Sequence, residues 1–398
     1  MKRIILHIDV NNAFLSWTAV SLLKSGFKYD IRDSYAVIGG DESRRAGIVL
    51  AKSPSAKKLG IITGETLYAA RKKCKVLKVY PPNHKLYSQM SNELFKLLSN
   101  YTPDIEIYSI DECFLDYTKV KKLYGDELEF AYKIKNEIQN KLGFTVNIGI
   151  GNNKLCAKMA SEFKKPNLVH TLYMEEIETK MWPLPISELF GIGRKTTPKM
   201  KELGINTIGD LAVSDPNKLY KYFKNQAVKY VEIANGIDNS EVISEEVAPK
   251  GISNTITLEY DYSNKRDLYK VLDKIADNVA LSLRKQERYT GVIAVILRDK
   301  YFNNKTRQTK LKNVTNITSE ISTVAKKLFD ELWDEEPVRL IGIRLDALTN
   351  QNTYQVSLFE NINEREKKLE LEKIVDNLNN KFGPESVKKA SFAKKKDD

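Results

Sequence analysis

An α+β protein of several domains is what this sequence predicts, and three observations predict it. Short β-branched runs alternate with helical patterns over the first 168 residues. From about 170 to 238 the chain reads as all helix. From 251 to 348 strands return around a helix at 265–287. A length of 398 residues accommodates about two to four domains.

Taken in order, "IILHIDV" is a short apolar run that reads as a buried strand, and "NNAFLSWTAVSLLKSG" follows as a helix. Residues 34–52 read as two strands joined by a turn rich in Gly, Asp and Arg. "KVLKVYPP" is a strand closed by two prolines, and "HKLYSQMSNELFKLLSNY" is a helix. "IEIYSIDECFLDYT" reads as a pair of short strands. "ELEFAYKIKNEIQNKLG" is an amphipathic helix ended by Gly143. "FTVNIGIG" puts Val146, Ile148 and Ile150 on one strand face, and the next helix stops before Pro166. A sheet of mixed direction with helices against it fits this first part. Residues 239–250 are polar and acidic and read as a linker. The tail from 349 opens polar, and its later helix and basic end have no clear role.

Lys plus Arg exceed Asp plus Glu by 12, which points to a polyanion such as nucleic acid or simply to a cationic surface. The three cysteines, Cys74, Cys113 and Cys156, lack metal-type spacing; an odd, sparse set implies a reducing compartment. No apolar run approaches the ~18 residues of a membrane span. "MKRIILHIDV" lacks the length and the small-residue cleavage site of a signal peptide. A cytoplasmic protein without membrane attachment is expected.

Two acidic pairs stand out. Asp111 and Glu112 lie side by side in "YSIDECFLDY", among Tyr, Ile, Cys, Phe and Leu. Asp9 ends the first strand. If the strands are neighbours, three carboxylates converge at one sheet edge and repel one another unless divalent metal is present. Oxygen-only ligands suit Mg2+, and two such ions serve in-line displacement at phosphorus. Taken alone, Asp111–Glu112 reads first as a turn pair at a strand end, and only the wider context turns the reading to metal. The rival "GGDES" resembles the GGDEF signature of diguanylate cyclases but has Ser43 for the final Phe, with Arg44 and Arg45 next; Gly-Gly-Asp is common turn chemistry.

"HIDVNNAF", "YSIDECFLDY", "GIGNNKLCAKMASEFKKPN" and "FGIGRKTTPKMKELGI" occur in that order. Together they resemble the Y-family DNA polymerases, the DinB/UmuC group of translesion enzymes, from residue 1 to about 348. "DVNNAF" looks closer to the UmuC branch, because many members carry Asp where this chain has Asn11. The resemblance implies a right-hand polymerase. Its ferredoxin-like palm would be residues 1–22 and 77–168, with small fingers at 23–76. A helical thumb with helix-hairpin-helix would follow at 169–238, and an α/β little finger at 251–348. It implies that Asp9, Asp111, Glu112 and the backbone carbonyl of Val10 hold two Mg2+ ions, with Mn2+ as a substitute. It places Ala13 and Phe14 at the incoming nucleotide, Phe14 as the steric gate that rejects the ribose 2′-hydroxyl. Lys165 of "KKPN" matches the lysine that contacts the triphosphate. The fingers depart from the pattern: where many members carry Tyr-x-x-Arg, "SPSAKK" has Pro54 and Lys57. Lys57 offers charge without a bidentate fork, which bears on nucleotide affinity and sugar discrimination.

"FGIGRKTTPKMKELGI" reads as helix-hairpin-helix, in which Gly191 and Gly193 let backbone N–H groups approach a DNA phosphate and Lys195 and Lys199 add charge. Residues 284–312 hold nine Lys or Arg against Glu287 and Asp299, and Lys310 and Lys312 share one strand face. Without a partner these features are a tight helical turn and a solvated strand face. "QVSLF" resembles the Gln-x-x-Leu-Phe peptides that bind the bacterial sliding clamp, with Gln355 at the pocket edge and Leu358 and Phe359 as anchors.

The expected function is template-directed, error-prone translesion synthesis by a monomer, with primer-template DNA, deoxynucleoside triphosphates and the clamp as partners. No spare length remains for an editing nuclease, so no proofreading is expected. The alternatives are a catalytically weak or inactive DNA-binding repair factor of the same fold, and a nucleotide cyclase built on the palm.

Overall fold

The computed structural model describes residues 3–42, 45, 47–245, 248–352, 362–383 and 386–387. It divides into two compact units, the first spanning Met1–Asp41 and Gly47–Glu246, the second Glu42–Ala46 and Val247–Asp398.

The first unit is built on alternation. β1 (Ile5–Val10) leads into α1 (Ala13–Lys24), β2 (Ala36–Gly39), β3 (Val49–Lys52), α2 (Pro54–Lys58), α3 (Leu67–Lys73) and β4 (Lys78–Tyr80). α4 (His84–Ser99), β5 (Ile105–Ile107), β6 (Glu112–Asp116), α5 (Lys121–Tyr124), α6 (Glu127–Leu142), β7 (Val146–Gly151), α7 (Lys154–Glu162) and β8 (Val169–Leu172) follow. The main sheet runs β5-β6-β1-β7-β8, and a smaller one runs β3-β2-β4. Side chains of a strand point alternately to its two faces. Leu6, Ile8 and Val10 therefore enter one core with Cys113, Leu115, Val146, Ile148 and Ile150, covered by Leu94 of α4 and Ile134 of α6. Ile5, His7 and Asp9 turn to the other face, where α7 packs.

α7 lies unusually close to that face. A Cβ on Gly149 would overlap the Ala157 carbonyl and the Ser161 backbone nitrogen, and one on Gly151 would overlap Cys156 and Ala157. Only glycine admits the helix at this distance. Asn153 caps α7, its Oδ1 accepting from Cys156 N at 2.8 Å.

Two expectations are corrected here. Residues 169–172 are not helical. The β-branched run "VHT" pairs in parallel with β7, its Val169 and Leu172 buried, and ends the main sheet. The helical region starts after it and includes α8 (Thr196–Glu202), α9 (Ile208–Ala212), α10 (Pro216–Phe223) and α11 (Gln226–Ala234). The segment 239–250 is a linker only in its later part. Ser240 O accepts from Arg3, Ile243 N donates to Glu106 at 2.9 Å, and Val242 packs on Ile5, Phe114 and Ala157.

The second unit contains β9 (Gly251–Tyr262), α12 (Lys265–Lys285), β10 (Tyr289–Asp299), β11 (Asn304–Thr315), α13 (Thr318–Leu332), β12 (Val338–Thr349) and α14 (Ile362–Phe382). Its antiparallel sheet runs β11-β10-β12-β9, with Ile275 and Val279 of α12 and Ile321 and Phe329 of α13 packed on Ile293, Val295, Ile341 and Ile343. The tail helix α14 has a clear structural role. Arg284 pairs with Glu372 at 2.5 Å and Asp376 at 2.6 Å, and Glu372 accepts from Thr318 N at the start of α13. Arg284 is thus buried in an ion pair and is not part of an exposed basic strip. Lys305 and Arg307 also have acidic partners, Asp334 and Glu331. Among the described residues no helix is long and apolar enough to cross a membrane.

The tight crossing of α7 yields a stability prediction. Gly149→Ala should lower the unfolding free energy by about 3 kcal/mol, read from urea denaturation followed by circular dichroism. An unchanged midpoint would mean that α7 moves away freely.

Candidate active site

β1 lies between β6 and β7, antiparallel to both, and the register sets Asp9 opposite Glu112 on one side and Asn147 on the other. Asp9 and Glu112 are cross-strand neighbours on the α7 face. α7 adds a third acid, Glu162, and carboxylate oxygens of Asp9, Glu112 and Glu162 lie within 4.8 Å of one another.

Two lysines hold this cluster together. Lys165 Nζ donates to Asp9 Oδ1 and Glu162 Oε1, each at 2.9 Å. Lys158 Nζ donates to Glu112 Oε2 at 2.8 Å. Burial pushes the Asp9 carboxyl above the usual carboxylate range, against the opposing pull of Lys165. Burial acts on Glu112 in the same sense, but His7 and Lys158 outweigh it and hold Glu112 well below that range. His7 is lowered, chiefly by burial, and is a neutral imidazole at neutral pH.

Asp111, expected beside Asp9 and Glu112, is placed next to the cluster rather than in it. Its Oδ1 accepts from Ser109 Oγ at 2.7 Å, and its backbone carbonyl accepts from Val10 N at 3.1 Å. Val10 and Ala13 are buried. Phe14 is half-buried, its ring stacked on the fully buried Tyr87 with centroids 4.4 Å apart and planes 6° apart. Lys57 is exposed on α2. Pro54 is the first residue of that helix, after the cap Ser53, where a missing N–H costs nothing. Lys52 has its pKa lowered by burial and by the charge of Lys57, so β3 and α2 present two nearby cations. Gly191 adopts φ +95°, and Gly193 and Lys195 are exposed beside it. Lys310 and Lys312 are exposed on β11 of the second unit and have no acidic partner among the described residues. Gln355, Leu358 and Phe359 lie outside the described residues.

Sequence reasoning missed Glu162, Lys158 and His7. One signal was present: Lys158 and Glu162 are four apart in "KMASE", so one helix face carries both. It missed Asn147 as well. This buried amide donates to the carbonyls of Ser161 and Lys164 and accepts from Asn11 and Leu168. Asn11 in turn accepts from Asn167 N at 2.9 Å and Thr145 Oγ1 at 3.0 Å. The two amides anchor the turn that carries Lys165.

The comparisons with known proteins match this geometry. The impB/mucB/samB family model matches residues 8–162, its C-terminal domain model matches 249–358, and the IMS family HHH motif matches 175–205. DNA polymerase IV of Clostridium acetobutylicum is 45% identical over 398 residues, covering 100% of both chains. DNA polymerase IV 1 of Bacillus subtilis is 33% identical, covering 100% of this chain and 94% of its own. Among solved structures, the Y-family DNA polymerase chimera Dbh-Dpo4(243-245)-Dbh has a TM-score of 0.76 at 25% identity, covering 87% of this chain and 100% of its own. The relatives carry DinB-like names, so the expectation of a UmuC-like branch drawn from Asn11 is corrected. Asn11 must donate to Asn147 Oδ1 at 3.2 Å, which an ionised aspartate cannot do, so its identity reflects a local hydrogen bond.

A buried carboxylate whose pKa is raised binds its proton more tightly in the folded state. Stability is therefore lost as pH rises from the ordinary carboxylate range through the raised value. Asp9→Asn removes that loss. At pH 8 in EDTA it should be more stable than the parent by about 1–2 kcal/mol in thermal unfolding. A lower midpoint would show that the Lys165 pair outweighs the burial of Asp9.

Proposed function

Because this chain belongs to the Y-family DNA polymerases, the impB/mucB/samB family, and is a DNA-directed DNA polymerase, we propose that it performs error-prone translesion synthesis, adding deoxynucleotides to a primer 3′ end without proofreading. The observation that carries the reading is the register of β1 against β6, which sets Asp9 against Glu112 on the face closed by α7. The polymerase name of the relatives and the intact acids favour this over an inactive DNA-binding factor.

In this reading β1, α1, β5–β7, α4, α6 and α7 form the palm, with β8 joined to its sheet, and β2 and β3 with α2 and α3 form the fingers, whose sheet is completed by β4 at 78–80. The helices up to α11 form the thumb and the second unit forms the little finger. Asp9, Glu112 and the adjacent Asp111 would hold divalent cations, with the Val10 carbonyl as a further ligand. The donors fit: all are oxygen, Asp9 and Glu112 lie with Glu162 in a carboxylate cluster within 4.8 Å, and two lysines neutralise that cluster only in part. Bound there, two Mg2+ ions, or Mn2+ in their place, supply activation of the primer hydroxyl and neutralisation of the leaving pyrophosphate. The primer 3′ oxygen bonds to the α-phosphorus as the bond to pyrophosphate breaks.

Lys165 is partly exposed and its ammonium is within reach of Asp9 and Glu162, so it can pass to the triphosphate. Lys57, with Lys52 near it, attracts the same phosphates as a point charge. Ala13 lines the nucleotide beside Phe14, whose ring Tyr87 pins in place to exclude a 2′-hydroxyl. Gly191, Gly193 and Lys195 grip backbone phosphate of the duplex, as do Lys310 and Lys312, so affinity falls steeply with salt. Gln355, Leu358 and Phe359 are proposed to bind the sliding clamp of a bacterial cytoplasm.

Primer extension tests this. The parent should extend primers across undamaged and lesion-bearing templates, and Asp111→Ala should make no product; normal extension by Asp111→Ala overturns the metal assignment. In the same assay Phe14→Ala should incorporate ribonucleotides, and unchanged sugar selection would leave Phe14 a packing residue. Deleting 355–359 should abolish stimulation by clamp while basal synthesis persists.

A further inference from the structure

Beneath Glu112 lies a buried polar group that the proposed chemistry does not use. His7 is fully buried, two residues before Asp9 on the same strand face. Its Nδ1 is 2.8 Å from Ser161 Oγ, and Ser161 Oγ donates to the Lys158 carbonyl at 2.7 Å. Its ring also packs on Phe114, with centroids 4.7 Å apart. Ser161 has given its proton to the Lys158 carbonyl, so Nδ1 carries the ring proton, and the bare Nε2 faces Glu112 Oε2 from 3.5 Å without a hydrogen bond.

The second contact to that same oxygen is Lys158, whose ammonium donates to Oε2 at 2.8 Å. Lys158 is 8% exposed, and its ammonium sits over two aromatic rings, Tyr108 at 5.4 Å and Phe190 at 5.3 Å. Both rings favour a cation at that spot. The two lysines of the site thus differ in kind. Lys165 is shared between Asp9 and Glu162 with 31% of its side chain exposed, so it can leave. Lys158 is enclosed and stays. No hydrogen bond ends on Glu112 Oε1 among the described residues.

We propose that Lys158 is a positioning residue that holds Glu112 by Oε2 alone and so reserves Oε1 for the reacting centre. The His7 ring walls that oxygen without bonding it. The inference rests on the assignment of Glu112 to the polymerase site. It extends that assignment by saying which oxygen acts and what aims it. A carboxylate free to rotate can offer either oxygen, or both at once, to a cation. One held at Oε2 presents a single geometry to primer and nucleotide.

The test uses Lys158→Met, which keeps the stem and removes the charge, with Phe190→Leu, which removes one of the two rings beside the ammonium and changes no charge. Single-nucleotide incorporation is measured at saturating Mg2+, and Mn2+ binding to each protein without nucleotide is measured by electron paramagnetic resonance. For Lys158→Met, kcat should fall about 10–100-fold. The KM for deoxynucleotide and the Mn2+ affinity should stay within about threefold of the parent, because the carboxylates remain and only their aim is lost. Phe190→Leu should shift kcat in the same direction by a smaller factor. Should Lys158→Met fail to fold, Phe190→Leu carries the same decision. A kcat within twofold of the parent overturns the inference. So does a fall in kcat matched by an equal fall in Mn2+ affinity and thermal midpoint, which would make the group merely structural. Lack of incorporation by the parent would instead overturn the polymerase reading itself, so the two failures are distinguishable.

Discussion

Asp9 and Glu112 face each other across an antiparallel strand pair, and like charges in that position repel. Nothing in the pair itself keeps it together. The other face of the same strands does. Leu6, Ile8 and Val10 are buried among the side chains of α4 and α6, and a slip of one residue would send them outward and Asp9 into the core. Apolar burial worth about 1.5–3 kcal/mol per large side chain therefore holds an arrangement that electrostatics alone would open. The site is a by-product of register, and register is set by the core.

The repulsion is then managed from the opposite side by α7. Its approach through Gly149 and Gly151 brings Lys158 and Glu162 close to the strands, and the turn after it supplies Lys165. The count of charges matters. Three carboxylates face two ammonium groups, while His7 is kept neutral by burial. One net negative charge remains in a partly buried place, which a divalent cation complements and a fully paired site would not.

The strands that carry Asp9 and Glu112 were legible in the sequence because their periodicity is short and local. "LHIDV" and "ECFLD" alternate core and outer face, and Asp9 and Glu112 stand on the outer face of their patterns. What hid the rest was distance along the chain. Glu162 joins Asp9 only because β7 pairs with β1 and α7 folds back over both, and no spacing rule states that. His7 reads as one more residue of an apolar strand, since burial and a serine 154 positions away give it its role. The strand at 169–172 was read as helix for a similar reason: four residues carry little periodic signal, and the strand they pair with is β7, roughly twenty residues back. The tail helix was opaque because its purpose is to neutralise Arg284, a residue that looked like part of a basic surface.

The departures from the family pattern follow the same logic. Asn11 is an amide because Asn147 requires a donor there, and Pro54 begins a helix whose cap is Ser53. Neither substitution is free of consequence for the proposed nucleotide site. With Pro54 lacking a donor, and Lys57 and Lys52 offering charge in place of a guanidinium fork, the proposed fingers side would attract phosphate but do little to orient it. Orientation would then fall to the proposed palm side, where the order is greater. Phe14 is stacked on Tyr87, and the turn that carries Lys165 is anchored by Asn11 and Asn147. On the proposed reading, such a site would select the sugar by shape at Phe14 and hold the triphosphate by charge alone.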